Sequence, residues 1–555
     1  MFAHFLCLLP TLFYAASAFP LTPWGAPTVQ LDQGTFIGTT DGTTNKFLGI
    51  PFAQPPVGDL RFNLPVAVDP YTGTHTVTAF GPACPQQAIN LDLPSQLASE
   101  VVDFIINGVY GAVFPSSEDC LTINVVVPAG TQPNAQLPVV AGGRYCYFEL
   151  MCLTGGFELG SPSMYDGGVI VSRSVELGEP VVYVSMNYRV SAFGFLASQE
   201  VKDAGVGNLG LQDQRLALRW IQKYISAFGG DPTKVTIWGE SAGAISVAMH
   251  MLANGGNTEG LFRGAFMESG SPIPTGDITH GQSDYDKLVA ETGCTGAADT
   301  LQCLREVPYD TIKKAADASP NIFSPQSLRL AWLPRADGTF LTDAPQQLVQ
   351  EGSVATVPFV TGDCDDEGTL FSLSTLNITT ESGLRSYIVD NYMPELTTHD
   401  LDNLMTLYPA DITQGSPFDT GILNALTPEF KRLAAMQGDL VFQAPRRFFL
   451  QNRSGKQSTW SFLSKRLKAL PGLGSAHATD ILNVYGGGEM ADYLINFVNH
   501  LDPNGNTVPS WPKYTTSSPN LLTFLDGLIP ITITDDDYRV DAMNLITELS
   551  LQFPL

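Results

Sequence analysis

The chain has 555 residues, 44% of them hydrophobic and 15% charged, which is enough apolar material for a large packed core. Its formal charge of −26 and pI near 4.5 argue against nucleic acid or an anionic membrane as a partner. No repeat, low-complexity tract or linker divides the sequence.

Residues 1–18 form an apolar stretch ending in Ala16-Ser17-Ala18, the small-x-small pattern of a signal-peptide cleavage site, although no Lys or Arg precedes it. Pro10 and the shortness of the run disfavour a membrane anchor, and no later stretch is apolar enough to span a bilayer. The expectation is a secreted, extracellular protein that is not an integral membrane protein, with one domain over residues 19–555. Eight cysteines suit an oxidising destination, Cys7 leaving with the signal. Cys84 and Cys120 are 36 apart and Cys294 and Cys303 are 9 apart. Either set could close a loop, but spacing alone does not assign pairs. Asn377-Ile-Thr and Asn452-Arg-Ser are glycosylation acceptors.

Between Cys84 and Cys120, Leu97, Val101, Phe104 and Ile105 recur at helical spacing, with Ser95, Ser99, Asp103 and Asn107 largely on the other side. Periodicity alone reads this as an ordinary amphipathic surface helix. Thr122 to Val127 and Val181 to Met186 read as strands. Leu216, Trp220, Ile221 and Tyr224 mark one face of a helix, which Phe228-Gly-Gly-Asp-Pro232 ends. Val235 to Trp238 then reads as a buried strand, followed by Gly239-Glu-Ser241-Ala-Gly243 and a helix over Ala244 to Leu252. A strand, a sharp turn with serine at its tip and a helix make a nucleophile elbow. The turn lifts the Ser241 oxygen clear of the sheet and aims the Ala242 amide at the place where an oxyanion would form. Alternating strands and helices imply an α/β protein with a mostly parallel sheet, whose ligands bind at the carboxyl ends of the strands.

A serine is a weak nucleophile without a base to take its proton and an acid to hold that base. Five of the seven histidines follow Ser241. His250 is about 13 Å down the same helix, and His280, His399 and His500 have polar surroundings without a recognisable site. His477 stands on the Gly-rich stretch Gly472-Leu-Gly-Ser-Ala-His477, where a loop can present it. For the acid, the strand-like Val357 to Gly362 runs into Asp363-Cys-Asp-Asp-Glu367. The residues alone do not choose among these four carboxylates, most of which read as solvated loop charges. Cys364 reads as a buried free thiol.

Lys46-Phe-Leu-Gly-Ile-Pro-Phe-Ala-Gln-Pro-Pro-Val-Gly58, Ser117-Glu-Asp-Cys-Leu-Thr-Ile-Asn124, Asn187-Tyr-Arg-Val190, Phe228-Gly-Gly-Asp-Pro232 and Gly239-Glu-Ser-Ala-Gly243 together resemble the type-B carboxylesterase/lipase family. Within that family the likeness is to the fungal lipases of the Candida rugosa type and to sterol esterases. The resemblance covers essentially all of the mature chain and implies the α/β-hydrolase fold. It implies His477 as the base and, through Asp-Glu-Gly-Thr at 366–369, Glu367 as the acid. It places a mobile lid, held at its base by a disulfide, over the stretch between Cys84 and Cys120, with Cys294 and Cys303 as the second expected pair. The family loop Gly155-Gly156-Phe157 implies that the amides of Gly155 and Gly156 join Ala242 in an oxyanion hole. Here the strand beginning at Leu137 does not run straight into that loop: residues 142–154, with Cys146 and Cys152, depart from the pattern as an insertion or a retained intron.

The resulting expectation is a secreted serine ester hydrolase, a lipase or sterol esterase acting on lipid esters at a lipid–water interface. Ser241 is the nucleophile, His477 the base and Glu367 the acid, and no metal or organic cofactor is implied. The alternatives are a carboxylesterase for small soluble esters and a catalytically inactive binding protein on the same fold.

Overall fold

A computed structural model describes residues 25–89, 115–143, 155–164 and 166–555. The signal-like segment 1–18, the amphipathic stretch 95–107 and residues 144–154 lie outside the described residues. The strands in chain order are Thr28–Leu31 (β1), Gln33–Ile37 (β2), Thr39–Thr40 (β3), Thr44–Pro51 (β4), Thr72–Thr76 (β5), Thr122–Pro128 (β6), Leu137–Gly143 (β7), Val182–Met186 (β8), Gly230–Glu240 (β9), Gly264–Glu268 (β10), Phe359–Cys364 (β11), Thr459–Ser464 (β12), Asn520–Phe524 (β13) and Ile531–Asp535 (β14). Among the described residues β1, β2 and β5 form a small sheet, and the other eleven form one large sheet in the order β14-β13-β12-β11-β10-β9-β7-β8-β6-β4-β3.

The strands from β13 across to β8 are parallel, and antiparallel strands flank them on both sides. Consecutive residues of β8, β10, β11 and β12 are buried whichever face they point to, because helices cover both faces of the sheet. In β10 alternate side chains serve two separate cores: Ala265 and Met267 point to one, Phe266 to the other. The first core takes the helices Leu209–Tyr224, Ala242–Gly256 and Ala444–Arg453. The second takes Gly168–Leu177 and Glu489–His500. This is the α/β-hydrolase arrangement. The strand entering the departing stretch runs two residues further than its apolar run suggests, with Gly142 and Gly143 still paired to Ser185 and Met186 of β8.

Cys84–Cys120 and Cys294–Cys303 are disulfides, with Cα–Cα distances of 5.0 and 5.8 Å, and Cys364 is buried and free.

Candidate active site

The site stands at the carboxyl edge of the parallel strands. β9 ends at Glu240, and the chain turns at Ser241 with φ 53° and ψ −125° before entering the helix Ala242–Gly256. A non-glycine residue pays about 1–3 kcal/mol for such a conformation, and the tight packing of strand on helix holds it there. A Cβ at Gly239 would sit 2.3 Å from the Gly243 carbonyl carbon, and one at Gly270 would sit 2.7 Å from the Ser241 carbonyl oxygen. Only hydrogen fits at either place. The Ser241 amide is anchored by donating to the Glu268 carbonyl at 2.9 Å.

His477 and Glu367 come from loops that follow β12 and β11, more than a hundred residues from each other and from Ser241. The two loops touch, with Asp366 and Ala476 forming a parallel bridge. His477 Nε2 lies 2.8 Å from Ser241 Oγ, and its Nδ1 lies 2.5 Å from Glu367 Oε2. The other carboxylate oxygen, Oε1, accepts from the Cys364 amide at 2.6 Å. Phe371 and Phe442 pack against the imidazole with ring centroids 5.1 and 4.7 Å away. Burial among them pushes the His477 pKa down to about 4, against the opposing pull of Asp480 and Asp363, so the ring is neutral at neutral pH. Burial also pushes the Glu367 carboxyl up, while hydrogen bonds from Ser269 and the Cys364 amide pull it down. A hydroxyl touching a neutral imidazole nitrogen, with a carboxyl on the other nitrogen, can lose its proton as it attacks an electrophilic carbon.

Gly155 approaches this hydroxyl closely, since a Cβ there would be 3.1 Å from Ser241 Oγ. Gly156 follows with φ +58°, and a Cβ there would meet Ile322 at 2.9 Å. The loop is tied down on its far side. Gly155 O accepts from the Glu158 amide at 3.0 Å, Phe157 O from the Ser191 amide at 2.7 Å, and the Glu158 carboxyl group from the Ile322 amide at 3.0 Å. Beside Ser241 opens an apolar pocket whose walls include Ile245, Ile273, Leu328, Leu333, Val441 and Leu555.

The carboxylates at 363–367 are not solvated, which corrects the sequence reading. Asp363, Asp365, Asp366 and Glu367 are all buried. Each has a partner brought from far along the chain. Asp363 pairs with Arg446 at 2.9 Å, Asp365 with Lys465 and Lys468, and Asp366 with Lys468 at 2.6 Å and the Ser475 amide at 2.8 Å. A buried charge persists only when paired and hydrogen-bonded, and these partners were invisible to a local reading. His250 is a core residue, its Nε2 2.9 Å from Gln214 Oε1. Asn377 is exposed, whereas Asn452 is half-buried in the helix Ala444–Arg453.

Several residues of the site gave no signal in the sequence. Glu240 Oε1 lies 3.5 Å from His477 Nε2, and burial together with Asp480, Glu367 and Glu268 pushes its pKa well up. Asp480 accepts from Ser269 Oγ at 2.9 Å and is pushed up to about 6, chiefly by burial. Only the Gly-Glu-Ser motif could have drawn attention to Glu240. Apart from Ile245 on the elbow helix and Val441 in the helical turn Asp439–Gln443, the pocket walls named above come from irregular segments with no pattern of their own.

A family model described as "Carboxylesterase family" matches residues 25–529. The chain is 45% identical over 507 residues to Lipase 4 of Diutina rugosa, covering 89% of this chain and 90% of that one. It is 41% identical over 544 residues to Secreted lipase 1 of Botryotinia fuckeliana, covering 94% and 93%. Among solved structures, that of Aspergillus niger EstA superposes with a TM-score of 0.79 at 28% identity, covering 96% of this chain and 99% of that one.

Proposed function

The chain belongs to the carboxylesterase family, and from that premise we propose that it is a secreted lipase using Ser241, His477 and Glu367. That it is a carboxylic ester hydrolase follows from the family and its relatives. The contact chain from Ser241 Oγ through His477 to Glu367 carries the finer reading, because it supplies a nucleophile, a base and an orienting acid in sequence.

In this reading Ser241 Oγ attacks the ester carbonyl carbon while its proton passes to His477 Nε2. The carbonyl π pair moves onto oxygen, where the amides of Gly155, Gly156 and Ala242 receive it. As the intermediate collapses, His477 returns the proton to the departing alkoxide, leaving an acyl-Ser241. Water then repeats the steps and releases the acid. Glu367 holds Nδ1–H and stabilises the imidazolium formed on the way. The apolar pocket beside Ser241 favours a substrate with a hydrocarbon acyl group, and relatives named as secreted lipases support both the lipid substrate and the extracellular setting. Residues 1–18 as a cleaved signal and 19–555 as one domain belong to the same proposal. The test is hydrolysis of p-nitrophenyl esters of rising acyl length, an emulsified triglyceride and a sterol ester, with Ser241→Ala and His477→Ala as controls. A fall of roughly four to six orders of magnitude is expected for each variant, and the double variant should be little worse than either single. Near-wild-type turnover in His477→Ala would reject His477 as the base.

A further inference from the structure

Leu528 and Ile529 stand at the tip of the turn joining β13 to β14, exposed to 103% and 69%. Ile422 and Leu423, exposed to 70% and 68%, stand on another loop, and Leu467 and Leu426 are partly exposed beside them. A single exposed leucine is ordinary, but these belong to three loops that are tied together. The Gly472 amide donates to Asn424 Oδ1 at 2.9 Å, and Lys465 Nζ donates to Asp419 Oδ2 at 2.9 Å. The amides of Leu467 and Lys468 donate to the two oxygens of Asp526 at 3.1 Å.

All three loops also lie at one edge of the sheet. Segment 465–477 leaves the carboxyl end of β12 and continues to His477. Segment 525–530 leaves the carboxyl end of β13, which runs parallel to β12. Segment 416–426 is pinned to Asp366, just past the carboxyl end of β11, by Ser416 Oγ at 3.0 Å and the Phe418 amide at 2.8 Å. That edge also carries Ser241. Three cations among the tips are matched by carboxylates, Lys465 by Asp419 and Asp365, Lys468 by Asp365 and Asp366, and Arg466 by Glu489 at 2.9 Å, while the buried Lys431 donates to Thr420 Oγ1 and to the Gly421 and Leu423 carbonyls.

We propose that these three loops seat the protein on an uncharged lipid surface, with Leu528, Ile529, Ile422 and Leu423 entering the apolar phase. The proposal rests on the lipase reading and adds the surface that meets the substrate phase. Side chains projecting from separate loop tips suit a fluid, deformable partner better than a rigid groove. Among the described residues the exposed cations at this patch are paired with carboxylates, on a chain of net charge −26, which favours neutral over anionic lipid.

The test is the triple variant Leu423→Asp, Leu528→Asp, Ile529→Asp, with Leu528→Ser, Ile529→Ser as a milder version, both checked by thermal melting. Flotation with triolein droplets coated in zwitterionic phosphatidylcholine reads adsorption. Turnover of dissolved p-nitrophenyl acetate reads the chemistry, and light scattering reads mass. The expected result is at least a tenfold loss of adsorption in the triple variant, a smaller loss in the pair, soluble-ester turnover within twofold of wild type and unchanged mass. Unchanged adsorption overturns the proposal. So does a shift from dimer to monomer, which would make the patch an interface between copies, or adsorption that requires anionic lipid and fades with salt. Wild-type protein that adsorbs but does not turn over the dissolved ester would reject the hydrolase reading instead.

Discussion

Glu367→Gln tests the site most sharply, because the structure dictates which way the new amide turns. Besides a hydrogen bond from the Ser269 hydroxyl, the carboxylate accepts at each oxygen: Oε2 faces His477 Nδ1 at 2.5 Å and Oε1 faces the Cys364 amide at 2.6 Å. Glutamine has one acceptor and one donor for these positions. The Cys364 N–H belongs to the last residue of β11 and can only donate, so the glutamine oxygen turns to it and the NH₂ faces His477. The imidazole then carries its proton on Nε2, pointed at the Ser241 oxygen it should deprotonate. Turning the amide over would set two donors against each other in a buried spot, which costs about 1–3 kcal/mol. Roughly 1–10% of molecules would then hold the useful tautomer, and those lack the charge that stabilises the imidazolium. A loss in kcat of about 10³–10⁴ is expected, in line with an acid-to-amide change in other hydrolases of this design. The assay is kcat on p-nitrophenyl butyrate with Ser241→Ala as the floor and a urea melt to confirm folding. A kcat within tenfold of wild type would refute both the role of Glu367 and the orientation argument.

Gly239→Ala should destabilise the fold by more than about 3 kcal/mol or abolish soluble expression, since its methyl meets backbone rather than a movable side chain; a melting temperature within two degrees of wild type would count against the elbow packing. Replacing Cys84 and Cys120 by serine removes the closure of a loop of 36 residues and should cost about 4 kcal/mol in urea unfolding, against about 2.5 kcal/mol for the 9-residue loop of Cys294 and Cys303. Glu158, pushed up to about 8 by burial, binds its proton more tightly folded than unfolded, so its contribution falls as pH rises from about 4.5 through 8. Glu158→Gln should therefore gain stability on the order of a few kcal/mol at pH 8 and above and nothing near pH 4, as read from unfolding curves at the two pH values. Because His477 is pushed down by burial, the neutral base persists below its ordinary range, and the acid limb of kcat/KM should lie below pH 6.5; a limb at or above pH 7 would contradict that environment.

The elbow was readable in the sequence because its constraint is local. Gly239 and Gly243 are four residues apart, and their near-contact follows from a strand turning directly into a helix. The alternation of apolar strands and helices likewise announced a parallel sheet covered on both faces, because burial on two sides leaves no polar face to alternate. The Gly-rich stretch before His477 offered a loop that could present it, but the choice of His477 as base and of Glu367 among the four carboxylates came from resemblance to a family. The tertiary structure alone decided the fate of the acidic run at 363–367. Read locally, four carboxylates in five residues belong in water. Folded, Arg446, Lys465 and Lys468 arrive from some 80 to 100 residues away and make burial tolerable. The same holds for the pocket, which gathers Ile245, Ile322, Val441 and Leu555 beside one serine. Patterns of three or four residues encode backbone geometry and which face is buried. Pairing of buried charge and the shape of a cavity depend on which distant loops meet, and only the packed sheet fixes that.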